Sequence, residues 1–147
     1  MNKKSRVFFA VTIIGFLLLF SYVWATKFYK PPVCRKLENL TPEQVERISV
    51  YSYRLERAEL TQEEAAKIIT LFHKMDIRGV GSTDYLNYDG AFTNFMFYIE
   101  MKDGTNIIYA TSAPHYIING LGYEADYDVS HEIQDLYNCY RKEKFKK

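Results

Sequence analysis

The sequence predicts an α+β protein: an N-terminal transmembrane helix followed by one small domain. That domain is a four- to five-stranded antiparallel sheet with two helices on one face, in the order β-α-β-β-β-β-α. Three observations predict it. An uncharged apolar run fills Val7–Ala25. A helical stripe (Ala65, Ile68, Ile69, Phe72, Met75) follows the capping sequence Thr61-Gln62-Glu63-Glu64. Strict apolar alternation through Ala91–Met101 then meets two hairpin signals, Asp103-Gly104 and Asn119-Gly120. Helices and strands that each bury one face stack as two layers.

The apolar run sets the location. Val7 to Thr26 is twenty uncharged residues, and a helix of that length spans ~30 Å, the hydrocarbon thickness of a bilayer. Residues 1–6 form a basic flank with Lys3, Lys4 and Arg6, and Tyr22, Trp24, Phe28 and Tyr29 suit the far membrane–water interface. Two readings stay open. In one, residues 7–26 are an uncleaved signal anchor in the cell membrane, contacting lipid, with a single pass and the C-terminal domain outside the cytoplasm. In the other, they are a signal peptide cut after Ala25, where Val23-Trp24-Ala25 offers a small-residue site. Lys27, Lys30, Arg35 and Lys36 nearly balance the N-terminal cations, so the positive-inside bias decides little.

Charge is distributed unevenly behind a total of +1. From Leu37 to Tyr140 there are 7 Lys and Arg against 17 Asp and Glu, a net −10, between a basic stem and a basic tail. An acidic body repels phosphate backbones, which excludes nucleic acid as the expected partner. The domain at residues 41–147 is long enough for one core and too short for two.

Residues 27–40 are a stem, and Pro31-Pro32 predicts an extended, polyproline-like spacer there. Cys34 in the stem and Cys139 near the C-terminus are the only cysteines. An even pair outside the cytoplasm suits a disulfide. It would close a loop of about 105 residues and contribute ~4–5 kcal/mol on the chain-entropy view. Two free thiols are the alternative.

The body reads in order. Thr41-Pro42-Glu43-Gln44 is a capping box for one helical turn. Arg47–Leu55 is rich in β-branched and aromatic residues, hence a strand. Thr61 caps the first helix, with Leu60 and Ala65 as a hydrophobic staple and Glu63–Lys67 as an i,i+4 pair. Asp103-Gly104 predicts a type I′ turn between strands 91–101 and 105–111. His115–Ile118 and Gly122–Tyr127 pair across Asn119-Gly120, and Val129–Arg141 closes the chain as a helix with Val129, Ile133, Leu136, Tyr137 and Tyr140 inward.

No sequence pattern assigns a catalytic residue, a metal site or a cofactor. His73, His115 and His131 lack metal-ligand spacing. Glu124, Asp126 and Asp128 imitate the start of a calcium loop, but Val129 stands where glycine is needed and Asp135 where glutamate is needed. Gly79-Val80-Gly81-Ser82-Thr83 has the glycines of a phosphate cradle without a strand before it or a helix after it. The best binding candidate is Asp84-Tyr85-Leu86-Asn87-Tyr88-Asp89, where Asp84, Tyr85, Tyr88 and Asp89 set tyrosines among carboxylates between glycines. Tyr123 in the second hairpin offers a further edge. Tyrosine gives contact area at low entropic cost with a polar tip, although among 13 tyrosines some simply cover the sheet rim. The expected function is therefore a membrane-anchored, extracytoplasmic accessory domain that binds a protein or cell-envelope partner without catalysis. The alternative is a secreted enzyme or enzyme inhibitor released after Ala25.

Overall fold

The computed structural model describes residues 3–51, 56–83, 95–112, 115–124 and 127–145. Helix α1 (Lys3–Lys27) is followed by α2 (Pro32–Glu38), a 3-10 turn (Pro42–Gln44), β1 (Val45–Tyr51), β2 (Arg57–Glu59) and α3 (Gln62–Phe72). Strands β3 (Phe95–Met101), β4 (Asn106–Ser112), β5 (His115–Ile118) and β6 (Leu121–Glu124) then lead into α4 (Tyr127–Lys144). All the described strands join one antiparallel six-stranded sheet in the order β2-β1-β3-β4-β5-β6. The α+β class thus stands with one more strand than expected: Arg57–Glu59 folds back on β1, pairing Ser49 with Glu59 and Tyr51 with Arg57. Three residues carry too little pattern to be read as a strand on their own.

α1 is long and apolar enough to cross a membrane. Its large apolar side chains stand exposed, 58% at Val7 and 63% at Phe20. A helix that is apolar all round is suited to lipid rather than to one protein face.

The stem is not an extended spacer. Pro31 has polyproline-like angles (φ −58°, ψ 147°), but Pro32 opens α2 as a first-turn proline, the one helical position where its missing N–H costs nothing. Cys34, Leu37 and Leu40, each 0% exposed, then enter the core. Three links fix α2 further. Lys36 reaches Asp103 of the β3–β4 turn at 2.9 Å. Glu38 accepts the Ile77 amide at 2.8 Å. His73 Nε2 meets the Leu40 carbonyl at 2.6 Å, so this histidine has a structural role.

The core lies between the inner sheet face and helices α2, α3 and α4. Register places Ile48 opposite Ile99 and Val50 opposite Phe97, then Phe97 opposite Tyr109, all fully or almost fully buried. From the helices, Ile68, Ile69 and Phe72 of α3 and Val129, Ile133, Tyr137 and Tyr140 of α4 meet them. Phe72 lies 5.0 Å from the Tyr109 ring and Tyr137 packs edge-on to Phe97 at 5.9 Å. The capping box at α3 forms as expected: Thr61 Oγ1 accepts the Glu64 amide at 3.3 Å and Glu64 Oε2 accepts the Thr61 amide at 2.6 Å.

The two hairpins differ. Asn119 (φ 50°) and Gly120 (φ 83°) form the type I′ pair. At the first hairpin only Gly104 is left-handed (φ 80°), and Met101 N–H donates to Thr105 O at 2.9 Å. This is a three-residue turn with glycine at its left-handed position, instead of the type I′ turn expected from Asp103-Gly104. Asp103 explains the difference, because its carboxylate accepts the Thr105 hydroxyl (2.5 Å), the Thr105 amide (2.9 Å) and Lys36. The Thr105 hydroxyl, then Lys36, then the Thr105 amide hold the Asp103 carboxyl down at about 2. A folded-state value below the ordinary carboxylate value of 3.8 stabilises the fold above that pH, and the contribution is lost as pH falls through about 2. Asp103→Asn is expected to flatten the stability profile between about pH 4 and 2; a parallel profile in urea titrations across that range would contradict the assignment.

Candidate functional site

The outer sheet face is the surface that no described helix covers. Strand alternation places Arg47, Ser49 and Tyr51 of β1 on it, with Arg57 and Glu59 of β2, Met96, Tyr98 and Glu100 of β3, and Ile108 of β4. An ion network organises one end. Glu100 is held by Arg47, through Nε at 2.7 Å and through a terminal nitrogen, and by Arg57 at 2.5 Å. Arg57 also donates to the fully buried Ser49 hydroxyl at 3.0 Å, and its guanidinium carbon lies 5.3 Å from the Tyr98 ring centre. Tyr51 meets Tyr98 edge-on at 6.4 Å. Hydrogen bonds from Arg57, then Arg47, push the Glu100 carboxyl below its ordinary value, and Glu100 in turn raises Arg57. The result is a fixed aromatic and guanidinium surface beside Ile108, which is 40% exposed.

A second feature lies where α1 meets the body. The Gly79 amide donates to Tyr29 O at 2.6 Å, and a Cβ at Gly79 (φ 91°) would stand 2.6 Å from Thr26 O. Only glycine allows that approach. Ser82 and Gly122 exchange backbone hydrogen bonds of 3.0 and 2.8 Å, which caps the β6 edge. Lys30 bridges Glu38 (2.5 Å) and Asp76 (3.0 Å), locking the corner between α1 and α2. Between these walls is a cavity of about 450 Å³, lined in part by Lys27, Arg78 and Glu124. The glycine segment, which lacks the context of a phosphate cradle, instead seats the end of the apolar helix. A third feature is an open groove of about 590 Å³ between α3 and α4, lined by Leu71, Leu136 and Cys139 among others.

Of the residues singled out from sequence, Asp84, Tyr85, Tyr88 and Asp89 lie outside the described residues. In sequence they lie between Ser82, which is bridged to β6, and β3. Tyr123 is described, 3% exposed, on the inner face opposite Tyr116; it closes one end of the core. Its hydroxyl and the Cys34 thiol are hydrogen-bonded, and burial pushes them up to about 12 and about 11 respectively. A Cys34–Cys139 disulfide was the expectation; in this structure both thiols are free. Cys34 is buried against Tyr123, whereas Cys139 sits exposed on α4 with Glu143 at 3.4 Å.

The histidines do not converge. His115 stands on the outer face opposite Glu124, with burial lowering its pKa and Glu124 opposing that shift. His131 is in the first turns of α4, across the sheet. Among the described residues no group of three or more His, Cys, Asp or Glu could hold a metal ion. The outer-face network was missed in the sequence, although its signal was present: Met96, Tyr98 and Glu100 alternate with the apolar residues of β3. Compared with known proteins, the chain matches no family model, no curated protein and no solved structure.

Proposed function

We propose that this chain is a membrane-anchored binding module. Its domain stands outside the cytoplasm, holds a protein or cell-envelope partner, and performs no chemistry of its own. The observation that carries this reading is the outer sheet face. Tyr51 and Tyr98, with Arg57 over the Tyr98 ring, belong to the residue types that anchor interfaces. Their sheet and ion network hold them in place before a partner arrives, which lowers the entropic cost of binding. On residue type alone, Asp84, Tyr85, Tyr88 and Asp89 are a second contact segment in this proposal.

Tyr98→Ala combined with Tyr51→Ala in the full-length protein is expected to weaken crosslinked partner recovery from native membranes at least about tenfold. The thermal midpoint should stay within about 10 °C, since both rings lie outside the core cluster. Recovery of the same partners at wild-type yield would remove this face from the function. Orientation has its own readout. Cys139 is exposed and Cys34 buried, so a membrane-impermeant maleimide should label one thiol in intact cells. The hydrogen bond to Glu143 raises the Cys139 thiol, so labelling belongs at about pH 8.5, where more thiolate is present. Protection of Cys139 until the cells are lysed would place the domain inside.

A further inference from the structure

The cavity at the end of α1 has a composition that the binding reading does not use. It rests on the same anchor: if Val7–Thr26 fills the hydrocarbon, Lys27 is the first residue beyond it and lies in the headgroup layer. Lys27, Arg78 and Glu124 line this one cavity, together with Thr26 and Ser82. Lys27 has no ion-pair partner among the described residues. Asp76 holds Arg78 through Nε, at 3.1 and 2.9 Å. A guanidinium and an ammonium lining one cavity at phosphate depth are matched to a phosphodiester. Glu124 sets a carboxylate in the same space, which a simple anion would meet with repulsion and a phosphate that carries an amine would not.

We propose that this cavity binds the headgroup of an amine-bearing phospholipid, with the phosphate between Lys27 and Arg78 and the ammonium on Glu124. About 450 Å³ is within the usual range for a small-ligand pocket. The walls are already fixed by the Gly79–Tyr29 and Ser82–Gly122 backbone hydrogen bonds, so little ordering is left for the lipid to impose. The bound headgroup would fix the angle at which the domain stands on the bilayer, because the cavity is shared between membrane helix and body.

The test is native mass spectrometry of the full-length protein in detergent with equimolar phosphatidylethanolamine, phosphatidylcholine and phosphatidylglycerol. Retention of phosphatidylethanolamine about tenfold above the other two is expected. Choline lacks the N–H that Glu124 would accept, and glycerol lacks the cation. Lys27→Ala with Arg78→Ala should lower retention of all three lipids about tenfold, since each carries the phosphate, and Glu124→Gln should reduce phosphatidylethanolamine to the level of phosphatidylcholine. Equal retention by the wild type and the double variant overturns the site, and a preference for phosphatidylglycerol overturns the amine assignment. Soluble phosphoethanolamine and inorganic phosphate form a separate arm. Binding of either without lipid retention assigns the cavity to a soluble ligand and overturns the lipid proposal. An alkaline carbonate wash reports independently on the anchor. Release of the protein into the soluble fraction defeats the anchor reading, whereas a retained protein without lipid preference defeats the headgroup proposal alone.

Discussion

Replacing Leu37 with alanine is expected to lower the unfolding free energy by about 3 kcal/mol, a large fraction of the total for a domain of this size. Leu37 is 0% exposed in α2 and belongs to the core cluster. Truncation removes its buried methyl groups and leaves a cavity that the surrounding elements cannot close, since α2 is tied down by Lys36–Asp103 and Glu38–Ile77. The thermal midpoint should fall on the order of 10–20 °C. Arg35→Ala, two residues away in the same helix and exposed, is the control and should change stability by less than about 0.5 kcal/mol. If residues 27–40 were a free spacer, both substitutions would have the small effect. Near-UV circular dichroism of the full chain in detergent separates the outcomes, and equal midpoints would return the segment to a linker.

That prediction marks where local sequence reasoning failed. A diproline is compatible with polyproline geometry and with a helix start, because proline at the first helical position loses no hydrogen bond. What decides is whether apolar residues follow on one face. Cys34, Leu37 and Leu40 recur every third residue, and all three are buried. The signal was present but short, and it competed with the diproline that suits an extended spacer. By contrast, α3 was legible because its cap, staple, ion pair and stripe all agree, and consistency of that kind is what specifies an element. Lys67–Glu63 forms at 2.8 Å and Lys144 adds a link to Glu64 at 2.8 Å.

The candidate surfaces were less legible for a different reason. Arg47 and Glu100 are separated by 53 positions, and they meet only because β3 pairs with β1 in a register that sets them opposite one another. Alternation within a strand tells which residues share a face; it does not tell which strand lies beside it. The cavity at α1 is harder still. It needs the end of a membrane helix, a glycine segment and the last strand to converge, and no window of sequence contains all three. Tyr123 shows a different difficulty. As an aromatic next to a hairpin turn it suits a binding edge, yet it is 3% exposed opposite Tyr116 and contributes to the core as well as to the wall of the cavity at α1.

Tyr109→Phe is expected to stabilise the protein by about 1–2 kcal/mol, against the usual direction of a core substitution. Tyr109 is 0% exposed, and among the described residues nothing hydrogen-bonds its hydroxyl. Its ring packs on Phe72, Phe97 and Tyr116 at 5.0, 6.3 and 5.7 Å. Phenylalanine keeps those contacts and removes a polar atom whose desolvation is not repaid by a partner. Burial also raises its ionisation well above the ordinary tyrosine value, so the side chain stays a neutral hydroxyl until the fold opens. Two neighbours supply the contrast. Tyr137 donates to Tyr51 O at 2.6 Å and Tyr140 to Glu64 O at 3.2 Å. Tyr137→Phe deletes a donor and leaves a carbonyl behind, so it should destabilise by about 1 kcal/mol. The pair is therefore expected to move in opposite directions under the same chemical change, with midpoints differing by about 10 °C. A fall in stability for both would show that the Tyr109 hydroxyl has a partner in solution.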